Sequence, residues 1–178
     1  MVQNKILNHF YNHPQPVHIR ELSRKLSIPK TTVHSHIKKL IKQGIVIKET
    51  NHVFPMFKAS QTELFKHRKT SDAVEEIIRS GLLDYIEDTC FPTSIVLFGS
   101  VAKGEYVKES DIDLFVQSKV YSLDLSKFSK RLGHEINILF ESEELSSDLL
   151  SNIINGITLR GHLRIQWSGR IALDTPEK

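Results

Sequence analysis

The sequence has 178 residues, of which 39% are hydrophobic and 25% charged, a composition typical of globular proteins and a length that allows two small domains. Its net charge of +3 divides unevenly, because residues 1–70 carry +10 and residues 71–178 carry −7, which favours a nucleic-acid partner for the first part only. The single cysteine excludes an internal disulfide. No apolar run approaches the roughly 18 residues of a membrane span and no secretory signal is visible, so we expect a cytoplasmic protein without membrane contact.

The first 65 residues predict three helices followed by a hairpin. Apolar residues recur at helical spacing over 3–13 and 19–26, and a third helix is predicted over 30–43, with Gly44 as its C-cap. Two apolar runs, 45–47 and 53–54, flank a turn at Asn51-His52 and predict a hairpin. This order of elements resembles a winged helix-turn-helix domain, which implies binding to double-stranded DNA.

In that resemblance, the third helix would be the recognition helix in the major groove. Polar side chains near its start would contact base edges, while the lysines further along and in the hairpin would contact phosphates. The candidate DNA-binding residues are Lys30, Thr31, Thr32, His34, Ser35, Lys38, Lys39 and Lys48. A palindromic site would imply a homodimer. The alternative is a winged helix that packs against another protein, since this fold also serves that purpose.

Between the two halves, residues 60–90 predict one or two helices, with Ser71 as an N-cap. No Pro-rich or low-complexity tract marks a flexible linker there. We place the domain boundary near residue 65, so that the first domain is 1–65 and the second 66–178.

A stretch in the second half, residues 94–118, reads SIVLFGSVAKGEYVKESDIDLFVQS. Its apolar start predicts a buried strand that stops at Gly99-Ser100, where a helical turn would offer free N–H groups and the Ser100 hydroxyl to a phosphate. After ten further residues, Asp111 and Asp113 alternate with apolar residues, so a strand would place both carboxylates on one face. Such a pair suits magnesium, or manganese in its place, together with the phosphates of a nucleotide.

This GS-x10-D-x-D pattern resembles the minimal nucleotidyltransferases of the DNA polymerase beta superfamily. The resemblance implies transfer of a nucleoside monophosphate, with AMP from ATP as the expected case, to a protein or small hydroxyl acceptor. Gly99, Ser100 and Lys103 would bind the nucleotide, and Asp111 and Asp113 the metal. Some minimal relatives are antitoxins that adenylylate a toxin of the HEPN ribonuclease class, which would be one such acceptor. The alternatives are a solvated edge strand for the motif and an exposed lysine for Lys103.

The segment 132–139, LGHEINIL, departs from this family's pattern. Relatives carry a third carboxylate where this sequence has Asn137, and an amide has no charge and cannot take a proton from an attacking hydroxyl. Glu135 precedes it by two residues on the same strand face and could take its place. We therefore keep both residues as candidate catalytic residues beside Asp111 and Asp113.

Two hypotheses follow from this departure. The first is an active nucleotidyltransferase that its winged helix brings to DNA. The second is a transcriptional regulator whose degenerate nucleotidyltransferase domain only binds nucleotide or a partner.

The remaining segments complete an α+β fold. A helix is predicted over 141–155, followed by short strands over 156–159 and 163–167. The expected architecture is an N-terminal winged helix-turn-helix followed by a small mixed-sheet nucleotidyltransferase domain with flanking helices.

Overall fold

The N-terminal part of the chain folds as three helices against a small antiparallel sheet. The computed structural model describes residues 2–50, 54–141 and 145–164. Its first elements are α1 (Val2–Asn12), β1 (Val17–His18), α2 (Ile19–Leu26), α3 (Lys30–Lys42), β2 (Val46–Glu49) and β3 (Met56–Ala59). The three strands pair antiparallel in the order β1-β3-β2. The predicted order of helices and hairpin is confirmed.

The C-terminal part is built on a four-stranded mixed sheet. Its elements are α4 (Glu63–Ser80), α5 (Leu82–Cys90), β4 (Ser94–Phe98), α6 (Gly99–Ala102), β5 (Ile112–Val116), α7 (Ser126–Leu132), β6 (Ile136–Phe140), α8 (Ser147–Ile154) and β7 (Ile157–Gly161). The strand order is β6-β5-β4-β7, in which β5 and β6 are parallel and the other pairs antiparallel. The expected α+β class is confirmed.

Helices cover the two faces of this sheet unequally. One face packs into a large core that includes residues of α4, α5 and α7, and its buried strand residues are Ile95, Leu97, Ile112, Leu114, Val116 and Ile136. The opposite face carries Val96 and Phe115, which pack with Ile153 of α8 in a much smaller cluster. The same face continues to Asp113, which is half-buried, and to Asn137, which is exposed. Polar side chains are therefore accessible on the thinly covered face.

Helix α4 contributes to the cores of both parts of the chain. Phe65, near its start, is fully buried in the core of the N-terminal part, whereas Ile77 is buried in the core beneath the four-stranded sheet. Tyr11 of α1 reaches the middle of the same helix, where its hydroxyl donates a hydrogen bond of 2.8 Å to Asp72. The helix thus crosses the boundary predicted near residue 65 without a break.

Two helix boundaries differ from the predicted ones. Ser71 lies inside α4, and the N-cap is Thr62, whose hydroxyl accepts a hydrogen bond of 3.3 Å from the N–H of Phe65. The helix predicted from residue 141 begins only at Ser147, because the Ser146 hydroxyl caps it by accepting from the N–H of Leu149. In both cases a local capping serine or threonine, rather than the apolar spacing, sets the first turn.

The second strand of the hairpin also begins later than predicted. Phe54 lies outside the strand, and β3 starts at Met56, directly after Pro55. Proline has no N–H to donate to a neighbouring strand, which explains a start after it. The predicted turn at Asn51-His52 and the end of the strand predicted over 163–167 fall outside the described residues. Among the residues that are described, no helix combines the length and apolar character needed to cross a membrane.

We predict that Phe65→Ala lowers the free energy of unfolding by about 3–5 kcal/mol, because it leaves a cavity in a closed core. Urea denaturation followed by circular dichroism measures the loss. Leu64→Ala is the matched control, since its side chain is 59% exposed and should change stability by less than about 0.5 kcal/mol. Equal losses in the two variants would contradict the placement of α4.

Candidate functional site

A single helical turn follows the central strand β4 and lies directly against Asp113. The turn α6 begins at Gly99, whose backbone has a φ of +72°. A Cβ atom at this position would overlap the Oδ2 atom of Asp113 and lie 3.3 Å from its Cγ atom. Only glycine therefore permits both the backbone conformation and the close approach. The hydroxyl of the next residue, Ser100, makes no hydrogen bond within the described parts of the chain, so it is available to a ligand.

The two aspartates of the D-x-D pattern lie on the open face of the sheet. Asp111 immediately precedes β5 and Asp113 lies within it, while Ile112 and Leu114 between and after them are buried in the core. The strand alternation expected from the sequence therefore holds here. In the sheet, Asp113 is paired with Phe98 of β4 on one side and with Asn137 of β6 on the other.

Asn137 joins the two aspartates through its side-chain amide. Its Nδ2 atom donates hydrogen bonds to Oδ2 of Asp111, at 3.0 Å, and to Oδ1 of Asp113, at 3.3 Å. The residue thus occupies the third position of the site, where the family pattern has a carboxylate. The amide supplies donors to the pair but no negative charge.

The environment of Asp113 disfavours its charged form. Partial burial raises the pKa of this carboxyl, the hydrogen bond from Asn137 opposes that shift, and the nearby charge of Asp111 adds to it. No lysine or arginine forms a salt bridge with either aspartate among the described residues. A cation bound at the pair would supply the missing positive charge.

Glu135 and Lys103 make no described hydrogen bond to the two aspartates. Glu135 is exposed just before β6, and its backbone carbonyl accepts a 2.8 Å hydrogen bond from Ile112, while no described hydrogen bond links its carboxylate to either aspartate. Lys103 ends α6, and its ammonium donates a 3.0 Å hydrogen bond to Oδ1 of Asn152 in α8. Lys103 would have to release Asn152 to bind a phosphate.

A cavity that sequence reasoning missed adjoins the site. It measures about 560 Å³ and is lined by Asp111 and Glu135, by the preceding loop with Lys108, and by Ser126 and Lys130 of α7. These residues come from three separate segments of the chain. No local pattern could have joined them, because only the folded sheet brings the segments together.

The donor set fits an oxygen-preferring divalent cation when a nucleotide completes it. Within residues 2–50, 54–141 and 145–164, no group of three His, Cys, Asp or Glu side chains is placed to hold a metal. Magnesium, however, is commonly bound by one or two carboxylates together with substrate phosphates. Asp111 and Asp113 meet that requirement.

The candidate DNA-binding residues lie on the outer face of α3 and on β2. Val33, Ile37 and Leu40 face the core, as the helical spacing predicts, whereas Ile41 is 38% exposed. The exposed candidates are Lys30, Thr31, His34, Ser35, Lys38, Lys39 and Lys48, while Thr32 is half-buried. Arg20 and Arg24 of α2 are also exposed and, with Lys30 at the start of α3, line a depression. Sequence reasoning did not single out these two arginines.

Comparisons with known proteins identify both parts of the chain. Residues 75–158 match the family model described as "Nucleotidyltransferase domain", and residues 2–47 match the one described as "Winged helix-turn-helix DNA-binding". The chain therefore contains a winged helix-turn-helix domain over residues 2–47 and a nucleotidyltransferase domain over residues 75–158. The match to the nucleotidyltransferase domain includes the Gly99 turn, both aspartates and Asn137.

One curated relative is similar to part of this chain. It is a protein of Methanocaldococcus jannaschii named "Putative protein adenylyltransferase MJ0604", 47% identical over 55 residues, which are 29% of this chain and 55% of the relative. The chain thus spans about half the length of the curated relative it matches. The "Crystal structure of Pseudomonas aeruginosa HmgR" aligns with 68% of this chain and 47% of that one, at a TM-score of 0.36 and 15% identity, too low a similarity to support an argument.

We predict that Gly99→Ala weakens the binding of magnesium-ATP by at least about tenfold, because the new methyl group displaces the Asp113 carboxylate. Isothermal titration calorimetry measures the affinity. Gly133→Ala is the matched control, since Gly133 has a φ of +73° but no atom within 4 Å of the added Cβ. It should lose only the roughly 1–2 kcal/mol of stability caused by a left-handed backbone and should keep its affinity. If both variants bind magnesium-ATP like the wild type, the Gly99 turn does not hold the nucleotide.

Proposed function

We propose that this protein transfers AMP from ATP to a hydroxyl acceptor in a reaction that requires a divalent cation, and that its winged helix binds double-stranded DNA. The observation that carries the proposal is the packing of the Gly99 turn against Asp113, with Asp111 on the same open face. This arrangement supports the proposal, because backbone N–H groups that could bind a phosphate lie beside two carboxylates that could hold a cation.

The proposed reaction is an in-line displacement at the α-phosphorus. The acceptor oxygen forms a bond to that phosphorus, the bond to the oxygen bridging the α- and β-phosphates breaks, and pyrophosphate leaves with the electron pair. The acceptor's proton passes to a base or to solvent. A bound magnesium ion supplies charge neutralisation at the phosphates and orients them.

The protein's own residues have separate tasks in this proposal. The N–H groups of the Gly99 turn and the hydroxyl of Ser100 bind phosphate oxygens, and the two aspartates hold the cation. Lys103 releases Asn152 and neutralises a phosphate. Glu135 is the candidate proton acceptor, because its exposed carboxylate lies at the edge of the cavity beside Asp111.

A protein hydroxyl is the acceptor we favour. The name of the Methanocaldococcus jannaschii relative, a protein adenylyltransferase, supports this choice and the choice of ATP. A toxin of the HEPN ribonuclease class is the kind of acceptor that the family resemblance suggests. We further propose a homodimer, which would match the two-fold symmetry of a palindromic DNA site.

Asp111→Asn should reduce transfer of label from α-phosphate-labelled ATP to an acceptor by at least about 100-fold, because one of the two charges that hold the cation is lost. Incubation of the protein with labelled ATP and extract of its host, followed by gel autoradiography, measures the transfer. DNA affinity should not change. Asp88→Asn, an exposed position on α5, controls for the loss of a charge elsewhere in the domain. Persistent transfer by the Asp111 variant would contradict its role.

A second function is favoured by the amide of Asn137. Hydrogen bonds from this amide to both aspartates give the pair a stable arrangement without a third carboxylate. A domain of this kind could bind nucleotide without turning it over. The protein would then be a transcriptional regulator whose DNA affinity depends on nucleotide.

Both functions require DNA binding through α3, which the salt dependence of affinity can test. Lys38→Ala and Lys39→Ala should each lower the slope of log affinity against log salt by about one, because each removes one phosphate contact. Fluorescence anisotropy with a duplex from the protein's own promoter measures the slope, with and without magnesium-ATP. Lys119→Ala, exposed in the other domain, should leave the slope unchanged. Equal slopes in all variants would exclude α3 as the DNA-binding surface, and a nucleotide-dependent affinity would favour the regulator.

A further inference from the structure

We propose that the site binds one divalent cation, the one that accompanies the nucleotide, and that Asn137 excludes a second. The inference depends on the proposed nucleotide site at the Gly99 turn. It concerns the metal content of that site. Two-cation sites hold metals about 3.5–4 Å apart, one beside the leaving oxygen and one beside the attacking oxygen.

The two sides of Asp113 offer different ligands. On the β4 side, the Gly99 turn lies against the carboxylate, so phosphates bound there would complete the ligand shell of a nearby cation. On the β6 side, the neighbour of Asp113 in the sheet is Asn137. A cation on that side would depend on Asp111 and on this neutral amide.

Asn137 opposes a cation at this position in two ways. The hydrogen atoms of its NH2 group, which carry partial positive charge, point at both carboxylates, with Nδ2 at 3.0 and 3.3 Å from the accepting oxygens. If the amide turned over to present its Oδ1 atom, the two hydrogen bonds would be lost and the new ligand would still carry no charge. The pair therefore contributes two negative charges, whereas the family pattern would contribute three.

Glu135 does not replace the missing charge in this structure. Asp111 and Glu135 each come just before a strand, β5 and β6, and the N–H of Ile112 donates to the Glu135 carbonyl. The Glu135 side chain is exposed, and no group of three metal-binding side chains forms among the described residues. The residue lines the cavity beside Asp111, where an acceptor could bind.

The consequence concerns the acceptor. A second cation would bind the attacking oxygen and help it to lose its proton, and without that cation this help is absent. Transfer would then be slower than in a site with three carboxylates, while nucleotide binding would be preserved. Asn137 would thus determine whether the domain mainly transfers the nucleotide or mainly binds it.

Counting bound Mn²⁺ tests the proposal without turnover. The full-length protein is equilibrated with Mn²⁺ and with an ATP analogue that has a methylene group between its α- and β-phosphorus atoms. Bound Mn²⁺ per chain is measured by equilibrium dialysis, and electron paramagnetic resonance detects exchange coupling between neighbouring ions. The wild type should bind one Mn²⁺ with no coupled signal. Asn137→Asp, which is nearly isosteric, should bind two and show the coupled signal.

Asn155→Asp is the matched control, because it adds the same charge at an exposed position at the end of α8 and should still bind one ion. Two coupled ions in the wild type would overturn the inference and leave the nucleotide site standing. Loss of the second of those ions in Glu135→Gln would then identify the source of the third charge. One ion in Asn137→Asp would remove Asn137 as the determinant. If neither analogue nor Mn²⁺ binds to the wild type, the proposed nucleotide site fails and the inference with it.

Discussion

Strand β5 hydrogen-bonds to β4 on one side and to β6 on the other, and the register of these two pairings brings Phe98, Asp113 and Asn137 side by side across the sheet. Everything at the candidate site depends on this register. A slip of one residue would turn Asp113 into the core and expose Leu114 in its place. The buried residues on the other face of β5, which include Ile112 and Leu114, are what prevent such a slip, because their burial is lost if the strand moves.

The two faces of the sheet therefore have different roles. One face is closed by three helices and carries the larger core, whereas the face of the aspartates is covered mainly by the small cluster around Ile153 of α8. The residues that stabilise the four-stranded sheet and the side chains that a ligand could reach thus lie on opposite faces. Two features of the site are unfavourable for the stability of the fold. Partial burial raises the pKa of Asp113, and the close approach of the neighbouring turn requires glycine at position 99. Such local conflicts are expected where a protein binds a charged ligand.

Helix α4 connects this site with the winged helix as one continuous element. Its first turn is buried among the helices of the DNA-binding part, and its later turns lie beneath the sheet. Lys69 in its middle is buried, donates to the backbone carbonyl of Tyr106 and lies 4.1 Å from the centre of that ring. Burial lowers the pKa of this ammonium to about 8. The loop that follows the Gly99 turn is thus attached to the helix that leads to the DNA-binding part.

The sequence by itself determined the order of the two domains, the α+β class and the strand alternation at the two aspartates. Local patterns sufficed for this, because helical spacing, a Gly-Ser pair and alternating aspartates act through neighbouring residues. It also identified Asn137 as the departure from the family pattern. The N-cap predicted at Ser71 and the helix start predicted at residue 141 were wrong, because capping by Thr62 and by Ser146 sets the first turns of these helices.

Only the tertiary structure decided which atoms of these residues meet. The hydrogen bonds from Asn137 to two aspartates on another strand, the overlap that a side chain at Gly99 would have with Asp113, and the cavity beside Asp111 all join segments far apart in sequence. The packing of helix α4 was also decided by the tertiary structure. Apolar spacing predicts a helix there, but it does not predict which of the two cores each turn packs against. Distances between residues on different strands follow from sheet register and packing, and no local property of the chain specifies them.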